Sequence, residues 1–154
     1  MRRTAVLVRV GATVLLLAAA SAPARAQLLL GTGGSFGHGG NAPVVALDYL
    51  SSGQRLGWEV GATAWASNHR VDANVDAHAA LSLCRGRLCG MLGAAYLARA
   101  DWLDGARLNF RLGLTWRIGA GPLQGIAVVH DSDAGIHYPN FGRNAALLEW
   151  RLLP

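Results

Sequence analysis

Alternation of apolar and polar residues is the feature that most constrains the fold of this chain. It is clearest at 107–117, where large apolar residues occupy every second position and the alternate positions include Arg111 and Arg117. The segments 55–66 and 144–153 repeat the pattern. A two-residue period places alternate side chains on opposite faces of a β-strand. The sequence therefore predicts strands that have one apolar face and one polar face.

Eight such segments can be counted, each bounded by Gly, Asn, Asp, Ser or Pro, and none has a helical period. An even number of strands suits a closed antiparallel barrel. The chain is 52% hydrophobic, yet beyond its N-terminal region no apolar run approaches the roughly 20 residues of a membrane-spanning helix. We therefore predict an all-β protein, an eight-stranded antiparallel transmembrane β-barrel with lipid outside and a polar lumen. The predicted strands are 27–36, 43–51, 55–66, 75–84, 89–99, 107–117, 122–130 and 144–153.

The polar faces of these strands carry charges of both signs. A charged group in a narrow lumen needs a partner, because an unpaired buried charge is very costly. The sequence therefore predicts a lumen filled by charges that pair with one another, and it places His78 on the same face without identifying a partner for it. The predicted lumen charges are Asp48, Glu59, Asp76 and Glu149 with Arg111, Arg117 and Arg151.

The first 26 residues read as an export signal. Arg2 and Arg3 precede an apolar run at 10–20, and Ala24-Arg25-Ala26 forms a small-x-small cleavage site. We expect a signal peptide at 1–26 and an outer-membrane barrel domain at 27–154, in the outer membrane of a bacterial cell. Removing the signal leaves ten arginines against nine acidic residues, so the mature chain is close to neutral and a nucleic-acid partner is not expected.

Cys84 and Cys89 are the two cysteines of the chain, and four residues separate them at a predicted hairpin. An exported protein meets an oxidising compartment, where a disulfide across this hairpin is the favoured state. A zinc site is the weaker alternative, since two thiolates supply half of a closed zinc site.

The pair His130 and Ser132 is the clearest candidate for chemistry. Residues two apart on a strand point to the same side, as a nucleophile and its base must. Asn144 shares its face with apolar residues of the last strand, so we expect these three side chains to face the lipid. Its even offset of fourteen from His130 adds little, because a loop lies between them. His130, Asp131, Asp133 and His137 as metal ligands are the weaker interpretation, because no spacing enforces their convergence, and neither a metal nor a cofactor is predicted.

The stretch His130-x-Ser132-x-Ala134-Gly135, Pro139-Asn140-x-Gly142 and Asn144 resembles the outer-membrane lipid A 3-O-deacylase family. The resemblance implies an eight-stranded barrel that hydrolyses the ester-linked hydroxyacyl chain at the 3 position of lipid A, the membrane anchor of lipopolysaccharide, with a membrane-facing Ser-His-Glu triad. By position, Ser132 resembles the nucleophile and His130 the general base. Asn140 and the backbone N–H near Gly135 resemble the donors to the oxyanion.

The sequence departs from that family at three places. Asn144 stands where the triad has its acid, Asp133 follows the serine where Asn is common, and Leu153-Pro154 replaces a terminal aromatic residue. An Asn can hold the imidazole in the right tautomer but cannot stabilise an imidazolium by charge, so slower turnover is expected.

Two classes of function are consistent with the sequence. The first is a lipid A esterase in the outer membrane, and the second is a non-catalytic barrel, structural or lipid-binding, whose site has decayed. A soluble lipocalin-like barrel is a third interpretation, and it requires the apolar faces to point inward. The sequence leaves open the preferred acyl chain and whether the barrel forms a homodimer.

Overall fold

The computed structural model describes residues 26–52, 56–100, 102–103, 105–136 and 141–153. Each strand pairs antiparallel with the next, and the last pairs with the first, so the eight strands close a barrel. The predicted fold is confirmed, and each predicted strand end lies within three residues of the observed one. The strands are β1 (Ala26–Phe36), β2 (Pro43–Ser52), β3 (Leu56–Trp65), β4 (Asn74–Arg85), β5 (Leu88–Leu97), β6 (Leu108–Ala120), β7 (Leu123–Ser132) and β8 (Arg143–Leu153).

β1 begins at Ala26, the last residue of the predicted signal peptide, and 1–25 lie outside the described residues. Within the described part of the chain, no helix is long and apolar enough to cross a membrane.

The outer wall of the barrel is apolar and its interior is polar. The five predicted apolar residues of β6 are between 48% and 63% exposed, whereas Asn109 and Arg111 between them are 2% and 1% exposed. A continuous apolar outer surface is the arrangement of a transmembrane barrel, whose surroundings are lipid. The soluble interpretation fails because it required these faces to point inward. The exposed set on β6 is Leu108, Phe110, Leu112, Leu114 and Trp116.

The connections differ in length at the two ends of the barrel. The loops 37–42, 66–73, 98–107 and 133–142 lie at one end, and the turns 86–87 and 121–122 lie at the other. Long loops at one end and short turns at the other are typical of small outer-membrane barrels. β7 runs on to Ser132, so His130 and Ser132 belong to the loop-bearing end of a strand rather than to a loop.

The lumen is organised around His78. Its Nε2 lies 2.8 Å from Asp48 Oδ1 and its Nδ1 lies 2.9 Å from Asp76 Oδ1, while Glu59 Oε1 is 3.5 Å from Nε2. Ionised carboxylates only accept hydrogen bonds, so both ring nitrogens act as donors and the ring is an imidazolium. The sequence placed His78 in the lumen, and the structure supplies the partners that the sequence did not identify. Asp48, Glu59 and His78 lie close enough together to suggest a metal site. The hydrogen bonds of both ring nitrogens account for this grouping without a metal.

The predicted pairing of arginines with acids holds in part. Arg111 Nη1 lies 2.9 Å from Asp131 Oδ2 and 3.8 Å from Asp76 Oδ1, so this arginine joins the His78 network to β7. Arg151 instead donates to Gln124 Oε1 at 2.6 Å. Among the described residues, Asp48, Asp76 and Asp131 are therefore paired through one histidine and one arginine at the centre of the lumen.

Replacing His78 by leucine is expected to destabilise the barrel by about 3–5 kcal/mol, because Asp48 and Asp76 would lose a buried cationic partner. Unfolding by urea in detergent micelles, followed by tryptophan fluorescence, measures the difference. His69→Leu is the matched control, since His69 is exposed on an outer loop. Equal stability of the two variants would show that the His78 ion pairs contribute little.

Cys84 and Cys89 face each other directly across the β4–β5 hairpin, and their sulfur atoms form a disulfide bond. Both side chains lie on the inward face, 7% and 4% exposed. The two-residue turn at 86–87 brings the strands together at this point, so the bond closes the turn end of the hairpin.

Candidate active site

His130 and Asn144 stand opposite each other on neighbouring strands. They are register partners in the β7–β8 ladder, and His130 Nδ1 donates to Asn144 Oδ1 at 2.9 Å. An amide oxygen can only accept, so the proton resides on Nδ1 and Nε2 keeps its lone pair. Asn144 therefore holds the imidazole in the tautomer that a general base needs.

Ser132 follows His130 at the next outward position of β7. Burial alternates along this strand. Val129 and Asp131 are buried, and His130 and Ser132 are half-buried on the outer side. Two residues along a strand separate their Cα atoms by about 6.6–6.8 Å. That spacing allows a serine hydroxyl to approach the far nitrogen of an imidazole whose near nitrogen is already bonded, as activation of a nucleophile requires.

The neighbouring acids face the other way. Asp131 and Asp133 are each 1% exposed and lie on the lumen side of the wall. Asp131 pairs with Arg111 there. Both are at odd offsets from His130, which places them on the opposite face of the strand, so neither carboxylate can take the place of a triad acid.

Gly142 brings backbone directly against the pair. A Cβ atom at Gly142 would lie 2.5 Å from His130 Cε1 and 2.9 Å from the Cβ of Ser132, and the residue has φ +67°. The N–H groups of Phe141 and Gly142 donate to the carbonyl of Leu103, at 3.1 and 2.9 Å. Leu103 is 2% exposed, so the loop between β5 and β6 fixes this contact.

The sequence motif contained Gly142 but gave it no role. The only local signal was its residue type, because glycine accommodates both positive φ and close packing. What lies against it depends on how a distant loop packs, and that loop contains Leu103.

One predicted oxyanion donor, the backbone N–H of Gly135, donates to a carboxylate in this structure. The N–H of Gly135 donates to Asp133 Oδ1 at 3.0 Å, and Ala134 before it has φ +56°. The buried carboxylate of Asp133 thus occupies the donor that was expected to serve an oxyanion. Asn140, the second predicted donor, lies outside the described residues.

Gly142→Val is expected to lower any activity of the site by about 100-fold, because its side chain would displace His130 or Ser132, and a 1 Å misplacement can cost that much. Gly121→Ala is the matched control: Gly121 has φ +65° and its added Cβ would meet nothing within 4 Å. Ester hydrolysis by both variants in detergent micelles gives the comparison. Full activity of Gly142→Val would show that the dyad tolerates displacement.

Comparison with known proteins gives a likeness in structure. The crystal structure of the outer membrane enzyme PagL matches this chain with a TM-score of 0.58 and 18% sequence identity, over 83% of this chain and 99% of PagL. The chain has the fold of PagL. No family model and no curated protein sequence matches it. At this identity the likeness to PagL establishes the barrel and leaves the chemistry to be argued from the residues.

Proposed function

We propose that the protein is a lipid A 3-O-deacylase of the bacterial outer membrane, an esterase that removes the hydroxyacyl chain from the 3 position of lipid A. The observation that carries the proposal is the His130 Nδ1–H to Asn144 Oδ1 hydrogen bond on the lipid-facing wall, with Ser132 at the next outward position. PagL, whose fold this chain shares, is an enzyme of the outer membrane. The motif resemblance at 130–144 points to deacylation of lipid A.

The reaction follows from the positions of the three side chains. Ser132 Oγ attacks the ester carbonyl while His130 Nε2 accepts its proton, and the imidazolium then protonates the departing sugar hydroxyl. Water, deprotonated by His130, hydrolyses the acyl-serine and releases the fatty acid. Asn144 keeps Nδ1 protonated throughout and so keeps Nε2 directed at the reacting atoms.

The location of the site suits an ester near the membrane surface. His130 and Ser132 lie at the loop-bearing end of β7 and on the outer wall. A lipid in the outer leaflet can place its ester at this position without leaving the bilayer. A site on the outer wall of the barrel can therefore reach its substrate directly. Export by the N-terminal signal, residues 1–26, is part of this proposal.

The test is to express the full chain in a bacterium that makes lipopolysaccharide and record the mass spectrum of its lipid A. The expected result is loss of one hydroxyacyl group from a fraction of the molecules. Heat-modifiable migration on a gel confirms that the barrel is folded and inserted. An unchanged spectrum from inserted barrel would overturn the proposal.

A non-catalytic barrel is the second candidate, and Asn144 is the observation that favours it. An amide where a triad would have a carboxylate is what a decayed site would carry. A barrel of this kind would bind lipid without changing it, so the mass spectrum separates the two functions.

A further inference from the structure

An apolar groove runs along the outer wall of the barrel and begins at the candidate active site. Its volume is about 690 Å³, and His130 stands at one end. Leucines from four strands, β3 to β6, form its sides, and they are among the most exposed apolar residues of the described chain. The residues that define it are His130, Leu112, Leu92, Leu81, Leu83 and Gly90.

The strand registers give the direction of the groove. His130 pairs with Leu112, Leu112 with Leu92, and Leu92 with Leu81. His130 is two residues from the loop-bearing end of β7, whereas Leu81 is seven residues from the loop-bearing end of β4. This row of four residues therefore runs from the outer rim toward the turn-bearing end of the barrel. It crosses three strand spacings, which together measure roughly 14 Å.

Gly90 makes the groove deep at its lower part. It lies on the outward face of β5 between Leu83 and Leu114, its register partners on either side, which are 67% and 57% exposed. A Cβ atom added at Gly90 would meet nothing within 4 Å. The position is therefore an open notch between two large side chains, and a side chain placed there would fill the groove without disturbing the barrel.

We infer that this groove holds the acyl chain that is being removed and that Gly90 sets the longest chain it accepts. The inference rests on the proposed function. An ester carbonyl at the dyad leaves its acyl chain to run from the rim toward the bilayer centre, and the groove follows that course from His130. Its apolar lining suits methylene groups, and its continuity with His130 joins the chain to the reacting ester.

The chain-length role is tested with Gly90→Leu, in which leucine fills the notch. Purified lipid A species that differ only in carrying a short or a long hydroxyacyl chain at the 3 position are presented in mixed micelles, and the release of each fatty acid is measured. The expected result is that Gly90→Leu loses about tenfold or more in kcat/KM for the long chain and keeps its rate on the short one.

Ala62→Leu is the matched control, because Ala62 is an exposed outward residue of β3 that does not line the groove. It is expected to treat both chains as the unmodified protein does. Leu83→Ala should have the opposite effect to Gly90→Leu and raise the relative rate on the long chain.

The outcomes separate this inference from the proposed function. If the unmodified protein cleaves both lipids and Gly90→Leu changes both rates equally or neither, Gly90 does not determine which acyl-chain length is accepted. The deacylase function then stands. If the inserted, unmodified protein cleaves neither lipid, the proposed function is overturned and this inference falls with it.

Discussion

Ser132→Ala is expected to abolish deacylation, with a fall in kcat of about 10⁶ if the site behaves as serine hydrolases do when the nucleophile is removed. The hydroxyl at this position is the atom that would form the acyl-enzyme, and its lipid-facing place on β7 offers no second nucleophile on the same face within two residues. Release of hydroxy fatty acid from lipid A in micelles gives the rate, and the lipid A mass spectrum gives the result in the cell.

The control for this experiment is Ser67→Ala, since Ser67 is an exposed loop serine. Both variants should show the same heat-modifiable migration, because neither serine carries a lumen charge. Retention of the full rate by Ser132→Ala would require another nucleophile and would remove the basis for a Ser-His mechanism. An equal loss in Ser67→Ala would point instead to damaged insertion of the barrel.

The strands could be predicted because their information is local. A two-residue period repeats in each segment and assigns each residue to a face, so the outward placement of His130, Ser132 and Asn144 followed from parity alone. The exact register that sets His130 opposite Asn144 did not follow, because a loop separates the two strands and its path cannot be predicted from the sequence. The structure supplies that register.

The residues that the sequence could not interpret are those whose partners lie across the barrel. His78 contacts Asp48 of β2 and Asp76 of β4. No spacing in the sequence predicts that these three residues contact one another. Trp65, the last residue of β3, likewise turns inward: it is 3% exposed and donates from Nε1 to Asp76 Oδ2 at 2.7 Å.

Gly142 and Gly135 illustrate the same limit at the site. The resemblance to a known motif marked both positions, but their contacts depend on tertiary packing. Gly142 supports the dyad because Leu103 holds its backbone in place, and the N–H of Gly135 is occupied because Asp133 turns inward. The position of a residue in the motif predicts neither of these contacts.

Asn144→Asp is expected to raise kcat, by as much as about 10⁴, the factor that loss of the triad carboxylate costs in a serine protease. Aspartate has the shape of asparagine, so the 2.9 Å contact with His130 Nδ1 is retained while the new charge stabilises the imidazolium formed during attack. Hydrolysis of lipid A in micelles, compared at equal amounts of inserted barrel, measures the gain.

Asn144→Glu tests whether charge or position limits the rate. Glutamate supplies the same charge but is longer by one methylene, so its carboxylate reaches His130 only if β7 and β8 or the side chain adjust. A gain in Asn144→Asp that exceeds the gain in Asn144→Glu indicates that this site is built around the shorter side chain. If neither variant exceeds the unmodified protein, the imidazolium charge is not what limits turnover, and a step after ester attack, such as release of the fatty acid from the groove, is rate-limiting instead.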